Sequence, residues 1–532
     1  MKIILKKMRR MAPWLVLAAV YLLMVGNFAL FGAHNLNADD SSEMVLAAQL
    51  NEEGKFLSEN WLYSTELRVI SPVPLYQLGL RLFDSWHAAR TFAQAIVMLG
   101  IAASVLYLAR GLGMKENAPM LAAVFLLPFS FEYAYILLLG CYYSLHLMIS
   151  LFMLGLVLRV ANGEKKHAGF MLVPLAALGL LSGVGGLRML TMFIVPMAAA
   201  SCALALLACR GHSTFVQAAN EPAVRMAGAS LLAAAAAAAG YLVNAGVLSK
   251  AYSYLTYDAL QMGRVNVSEF ENQINGIIRT LGYRDNVPLF SAQGIGCWAA
   301  LVLTAALFIA PVRLYVRRKE LAQQHALLAL TAAAAVILGM LLNVFLGQLL
   351  VRYFIVGTML LVTTMFAAID TEPCKNHLLR RICVWIVVGL FAYLSVCTLR
   401  FDFRQGQVNY EMAAEWLMER GYTQGYATFW NANTLTEASD GAIEMWVLAD
   451  NKSVVTQGEW AQMGMQKTLQ HKRHLTEEPE GRVFLLVDEL EHQQGSPLLD
   501  EAHFVDMIAW SYYVYEYNSA GQMRALLEAQ TE

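Results

Sequence analysis

Apolar runs close to twenty residues long recur from residue 11 to residue 399, and they constrain this chain more than any other feature. A helix rising 1.5 Å per residue needs about that length to cross a hydrocarbon core of roughly 30 Å. In lipid, only a structure that pairs its own backbone polar groups survives, so each run is predicted to be helical. The runs fall at 11–32, 91–109, 118–133, 136–158, 168–186, 189–209, 227–248, 293–312, 326–346, 353–369 and 382–399. Together they predict about eleven transmembrane helices. With 58% hydrophobic and 15% charged residues, the 532-residue chain is too apolar for a soluble protein of its size. Membrane lipid is therefore an expected partner, and nucleic acid is not.

Charge distribution sets the expected orientation. Lys2, Lys6, Lys7, Arg9 and Arg10 precede the first run, which reads as an uncleaved anchor. The connections carrying Arg110 and Lys115, Lys165 and Lys166, Arg313 and Arg317, and Arg380 and Arg381 then fall on the same, cytoplasmic side. Three polar segments are left outside: residues 33–90, residues 249–292 and everything after 400. The expected division is a transmembrane domain at 1–400, including the first outer loop 33–90, and an extracytoplasmic domain at 401–532. The seven cysteines lie in or beside apolar runs and show no disulfide or metal spacing.

In the first outer loop, Asp40, Ser41, Ser42 and Glu43 read as a helix cap with a reciprocal acid three residues on. The helix is expected to run to Glu53 and close at Gly54, lying along the membrane surface on Met44, Val45, Ala48 and Leu50. Pro72 and Pro74 impose an extended stretch before an amphipathic piece at 75–88. In the tail, an amphipathic helix at 409–420 precedes strand-like runs at 425–430, 443–448, 483–488 and 511–517, which predicts a small α/β domain.

The ionisable residues gather at the outer rim rather than at mid-bilayer. Asp39 and Asp40 open the first outer loop. A cap worth about 1 kcal/mol accounts for Asp40 but not for Asp39. Arg188 and Arg352 sit at outer ends of apolar runs, where an arginine either snorkels to the interface or meets an anionic headgroup with its planar fork. Glu132 lies near Tyr133 and Tyr135, shortly before Tyr142, Tyr143 and His146. It is either an interfacial residue or a second acid facing Asp39 to bind an acceptor. Trp61, Tyr63, Glu66 and Arg68 form a polar-aromatic cluster suited to a sugar face, with Arg68 also able to reach a phosphate; a folded interfacial loop explains them equally well.

These features resemble the GT-C superfamily of polyprenyl-phosphate-dependent membrane glycosyltransferases, close to the protein O-mannosyltransferase and aminoarabinose-transferase type. One span, an acidic pair at Asp39 and Asp40 opening a first outer loop, further spans and an outer C-terminal domain carry the likeness. Members commonly pair the first aspartate with glutamate, where this chain has Asp40. The resemblance implies a GT-C-like polytopic α-helical protein of the cell envelope that inverts a sugar as it moves it from a polyprenyl-phosphate donor to an extracytoplasmic glycan, lipid or protein. The resemblance makes Asp39 and Asp40 the catalytic pair: Asp39 would take the acceptor's proton, and Arg188, Arg352 or Arg68 would meet the departing phosphate. Some members use a divalent cation and others none, so the resemblance leaves metal dependence open. The tail string Gly425–Asn433 is also similar to the ends of such proteins; Asn431 and Asn433 suit either a glycan contact or a turn. The competing readings are a lipid-linked sugar flippase, which would place charges near mid-membrane, and a surface binding protein, which would need one span only.

Overall fold

The computed structural model describes residues 2–63, 66–139, 143–162, 165–210, 220–254, 267–346, 351–372, 377–403, 409–448, 471–475, 477–496 and 498–528. From the N-terminus come α1 (Lys2–Phe31), α2 (Ala38–Glu53), β1 (Leu62–Tyr63), α3 (Val73–Leu82), α4 (Trp86–Gly111), α5 (Ala118–Phe125), α6 (Phe131–Leu138), α7 (Tyr143–Asn162), α8 (Lys165–Gly185) and α9 (Val195–Cys209). They are followed by α10 (Pro222–Val243), β2 (Ser253–Tyr254), α11 (Val267–Thr280), α12 (Ala292–Val316), α13 (Gln323–Leu346), α14 (Ile355–Asp370) and α15 (His377–Thr398). The tail holds α16 (Asn409–Glu419), β3 (Gln424–Thr428), α17 (Phe429–Ala438), β4 (Glu444–Leu448), β5 (Val483–Asp488), α18 (Glu489–Gln494), β6 (Phe504–Ile508), β7 (Tyr512–Tyr517) and α19 (Ala520–Glu528).

Among the described residues, nine helical stretches are long and apolar enough to cross a membrane; they fall on α1, α4, α7, α9, α10, α12, α13, α14 and α15. Two expected spans differ from this pattern. The run 118–133 is broken into α5 and α6, because Pro128 has no N–H to continue a helix and Ser130 starts the next one by accepting from the Tyr133 N–H. The run 168–186 is helical, but its apolar stretch, Gly169–Gly185, is shorter than the nine.

The chain divides into two compact units. The first comprises Met1–Val25, Ala95–Leu248 and Asp258–Phe403. Within it α8 packs closely on α10, α9 on α13, and α14 on α12 and α13. Small residues permit the first of these approaches: a Cβ at Gly183 would strike the Ala237 carbonyl, and one at Gly240 would strike the Leu180 carbonyl. In lipid, such close packing rather than water exclusion drives helices together.

The second unit comprises Gly26–Gln94, Ser249–Tyr257 and Arg404–Glu532. Its five-stranded sheet has the order β4-β3-β5-β7-β6, with β4, β3 and β5 parallel and β7 and β6 antiparallel. Side chains alternate across β5, so Phe484 and Leu486 enter one core while Val483, Leu485 and Val487 enter another. Ala38, from the first loop, lies inside the core built by α16 and α17. A two-residue parallel ladder joins β1 to β2.

Helix α2 ends as expected at Glu53 and is closed by Gly54, whose φ of 65° is the left-handed conformation glycine tolerates. Its cap is not Asp40. Asn37 precedes the acids and accepts from the Asp39 and Asp40 N–H groups, which starts the helix earlier. Nor does α2 expose an apolar stripe: Met44, Leu46, Ala47 and Leu50 are buried, and the helix packs on α3 and α17.

Candidate functional site

In the second unit, the first turn of α2 turns its two aspartates to different surroundings. Asp39 is half-buried, whereas Asp40 is 2% exposed. Behind Asp40 lies Arg90, on the first turns of α4 and wholly buried. Its Nε and Nη2 donate to the two carboxylate oxygens of Glu437, on α17, at 2.6 and 2.7 Å. Its Nη2 also donates to the Asp40 carbonyl at 3.0 Å, and its Nη1 to the Tyr76 hydroxyl at 3.2 Å. Gln94 donates to the same hydroxyl at 3.2 Å. The Asp40 Oδ2 is buried without a hydrogen-bond partner among the described residues. Burial pushes its carboxyl well above the ordinary range; Arg90 opposes that rise, and Asp39, Glu43 and Glu437 add to it.

The rest of the expected loop cluster is drawn inward. Arg68 lies 3.2 Å from the buried Glu43 carboxylate, which also lies on α2. Trp61 and Tyr63, read as either a sugar-facing surface or part of a folded loop, are buried with Glu66. Trp61 forms a backbone bridge to His471, and the Tyr63 hydroxyl accepts from the Ser58 N–H at 2.9 Å. Burial pushes the Tyr63 hydroxyl up to about 12.

In the first unit, the two expected arginines come together on one buried tyrosine. The guanidinium carbons of Arg188 and Arg352 lie 5.4 and 5.9 Å from the Tyr143 ring centre, and Arg188 lies 5.9 Å from that of Tyr353. The Tyr143 and Tyr353 rings are 6.1 Å apart, and His146 stands 5.9 Å from Tyr143. A ring within about 6 Å of each guanidinium attracts both and so offsets part of their repulsion. Glu132 is half-buried within the electrostatic reach of Arg352 and Arg279. Tyr142 lies outside the described residues.

No protein-family model matches this sequence, and no curated protein matches it. Solved structures do match in fold. ArnT from Cupriavidus metallidurans bound to undecaprenyl phosphate superposes with a TM-score of 0.57 at 12% identity, over 95% of this chain and 98% of that one. Its apo form gives 0.55 at 12% identity, over 94% and 97%. The chain has the GT-C fold. The archaeal oligosaccharyltransferase AglB from Archaeoglobus fulgidus, in complex with an inhibitory peptide and a dolichol-phosphate, gives 0.50 at 11% identity, over 90% of this chain and 70% of that one.

On this GT-C fold, the residues that the sequence did not flag are Arg90, Glu437 and Tyr76. Arg90 carried a signal, since a charge at the mouth of an apolar run calls for a partner. Glu437 lies 347 positions away, and no local pattern couples the two. Among the described residues, no group of three or more His, Cys, Asp or Glu side chains converges as a metal site would.

Proposed function

We propose that this chain is a membrane glycosyltransferase that moves a sugar, with inversion, from a polyprenyl-phosphate donor to an acceptor hydroxyl. The observation that carries this reading is the match of nearly the whole chain to a structure holding undecaprenyl phosphate, an isoprenoid phosphate of the kind such a transfer leaves behind. The charge bias of the short connections supports a cytoplasmic N-terminus, with the first loop and the tail domain on the far side.

The division of labour follows from the side chains. As the acceptor oxygen bonds to the anomeric carbon, Asp39 takes its proton, and the bond from that carbon to the phosphate oxygen breaks with its electron pair leaving on the phosphate. A positioned base of this kind contributes about 10²- to 10⁴-fold. Arg188 and Arg352, gathered on Tyr143, suit the charge growing on the departing phosphate. Glu132 is the candidate second acid for the acceptor. Arg68 is already engaged by Glu43 and is the weaker phosphate ligand.

The test uses purified full-length protein in detergent with polyprenyl-phosphate-linked sugars and measures release of the free polyprenyl phosphate together with glycosylated product. Wild type is expected to turn over, and Asp39→Asn to lose about 100-fold or more of that rate. Full retention in Asp39→Asn would remove this residue from the mechanism. Absence of turnover by wild type with every such donor would overturn the enzyme reading itself.

A further inference from the structure

We infer that Arg90 and Glu437 are positioning residues for Asp39, and that the tail domain thereby contributes to transfer without touching the substrate. The inference rests on the glycosyltransferase reading. Three fixtures hold the first turn of α2. Asn37 accepts the N–H groups of Asp39 and Asp40 at 3.0 and 3.2 Å. Ala38 is buried in the core of the tail domain, against residues of α16 and α17. Arg90 donates to the Asp40 carbonyl at 3.0 Å. The residues on either side of Asp39 are thus both buried and both anchored, while Asp39 itself stays half-exposed.

Arg90 can act as such a fixture because its guanidinium is buried and bonded on several sides. Two of its nitrogens are committed to Glu437 and one to Tyr76, a fork geometry that fixes the guanidinium plane as well as its place. Glu437 sits on α17, the helix that follows β3 and packs on α2. The chain of contacts therefore runs from the tail's parallel sheet through α17 and Glu437 to Arg90, and from Arg90 to the peptide carbonyl next to the proposed base. Small displacements of a reacting group are costly, about 100-fold for 1 Å, so this scaffold bears on the rate rather than on donor affinity.

Two variants of the full-length protein test this: Glu437→Gln, which keeps the shape and removes one charge, and Arg90→Met with Glu437→Leu, which replaces the pair by apolar side chains of similar volume. Hydrogen exchange of the amides in 38–46 is expected to quicken about tenfold or more in each. In transfer assays, kcat is expected to fall about tenfold or more while KM for the donor stays within about twofold. A folded variant with wild-type kcat and a lowered melting temperature would reveal a purely structural pair and overturn the inference, as would unchanged exchange in 38–46. If the double variant does not fold, Glu437→Gln alone decides. If wild type shows no transfer, the enzyme reading fails, and the exchange result still decides whether the pair holds α2.

Discussion

Arg90 and Glu437 close on each other with two parallel hydrogen bonds of 2.6 and 2.7 Å, both side chains buried and 347 residues apart in sequence. A buried pair of this kind is costly to break and cheap to replace. Removing one partner leaves a charge without compensation, whereas removing both leaves none. Glu437→Leu alone is therefore expected to cost about 3–5 kcal/mol, and Arg90→Met with Glu437→Leu to recover most of it. Thermal melting of the detergent-solubilised protein reads both. Equal losses in the single and double variants would show that the pair does not carry this weight.

The acidic pair is expected to divide on substitution. Asp40 is buried beside a guanidinium already satisfied by Glu437, and burial raises its carboxyl well above the usual range, which shifts its balance toward the neutral acid. Asparagine copies the shape and neutrality of that acid. Asp40→Asn should therefore cost transfer less than about tenfold, against about 100-fold or more for Asp39→Asn, because only the latter removes a base. Paired turnover assays at one pH settle the order, and an equal loss at both positions would place Asp40 in the chemistry too.

Local signals in the sequence were dependable where one physical preference decided the outcome. The helix from the acidic pair to Glu53, with Gly54 closing it, follows from its length and its glycine. Strands at 424–428, 444–448, 483–488 and 512–517 follow from buried alternation or unbroken apolar runs. The strand Phe504–Ile508 escaped notice because four of its five side chains are exposed, so no inward pattern marks it. Asp40, the expected cap, yields to Asn37 in the structure: both residue types cap well, and Ala38 between them is drawn into a core formed by residues more than 370 positions later. That Arg188 and Arg352 share one tyrosine was not legible, since no local pattern couples Tyr143 to either of them.

Five residues before Arg188, Gly183 serves packing of α8 on α10. A methyl group there meets the Ala237 carbonyl and neighbouring backbone of α10, atoms that cannot swing aside. Gly183→Ala is expected to destabilise the first unit by about 1–3 kcal/mol. Gly228, an exposed position on the same α10, has nothing near its would-be Cβ. Gly228→Ala should stabilise by about 0.5–1 kcal/mol through helix propensity alone. Melting temperatures that move in the same direction for both would contradict the packing account.

Glu491 gives the tail domain a pH dependence of defined sign. It is buried, accepts from the Asp488 N–H at 3.0 Å and from Asn431 at 3.2 Å, and completes a reciprocal cap with Asp488. Burial first, and the Asp488 charge second, push its carboxyl from 4.5 up to about 7, against the hydrogen bonds from the Asp488 backbone, Thr428 and Asn431. Between those two values, the native state holds a proton that the unfolded chain has released. Stability is therefore expected to fall as pH rises through this window, by a contribution of roughly 3 kcal/mol that is fully present below about 4.5 and lost near 7. Glu491→Gln keeps a neutral side chain at every pH and should flatten that slope. Melting of wild type and Glu491→Gln across pH 4.5 to about 7.5 measures it; parallel curves for the two proteins would show that Glu491 titrates as an ordinary carboxylate.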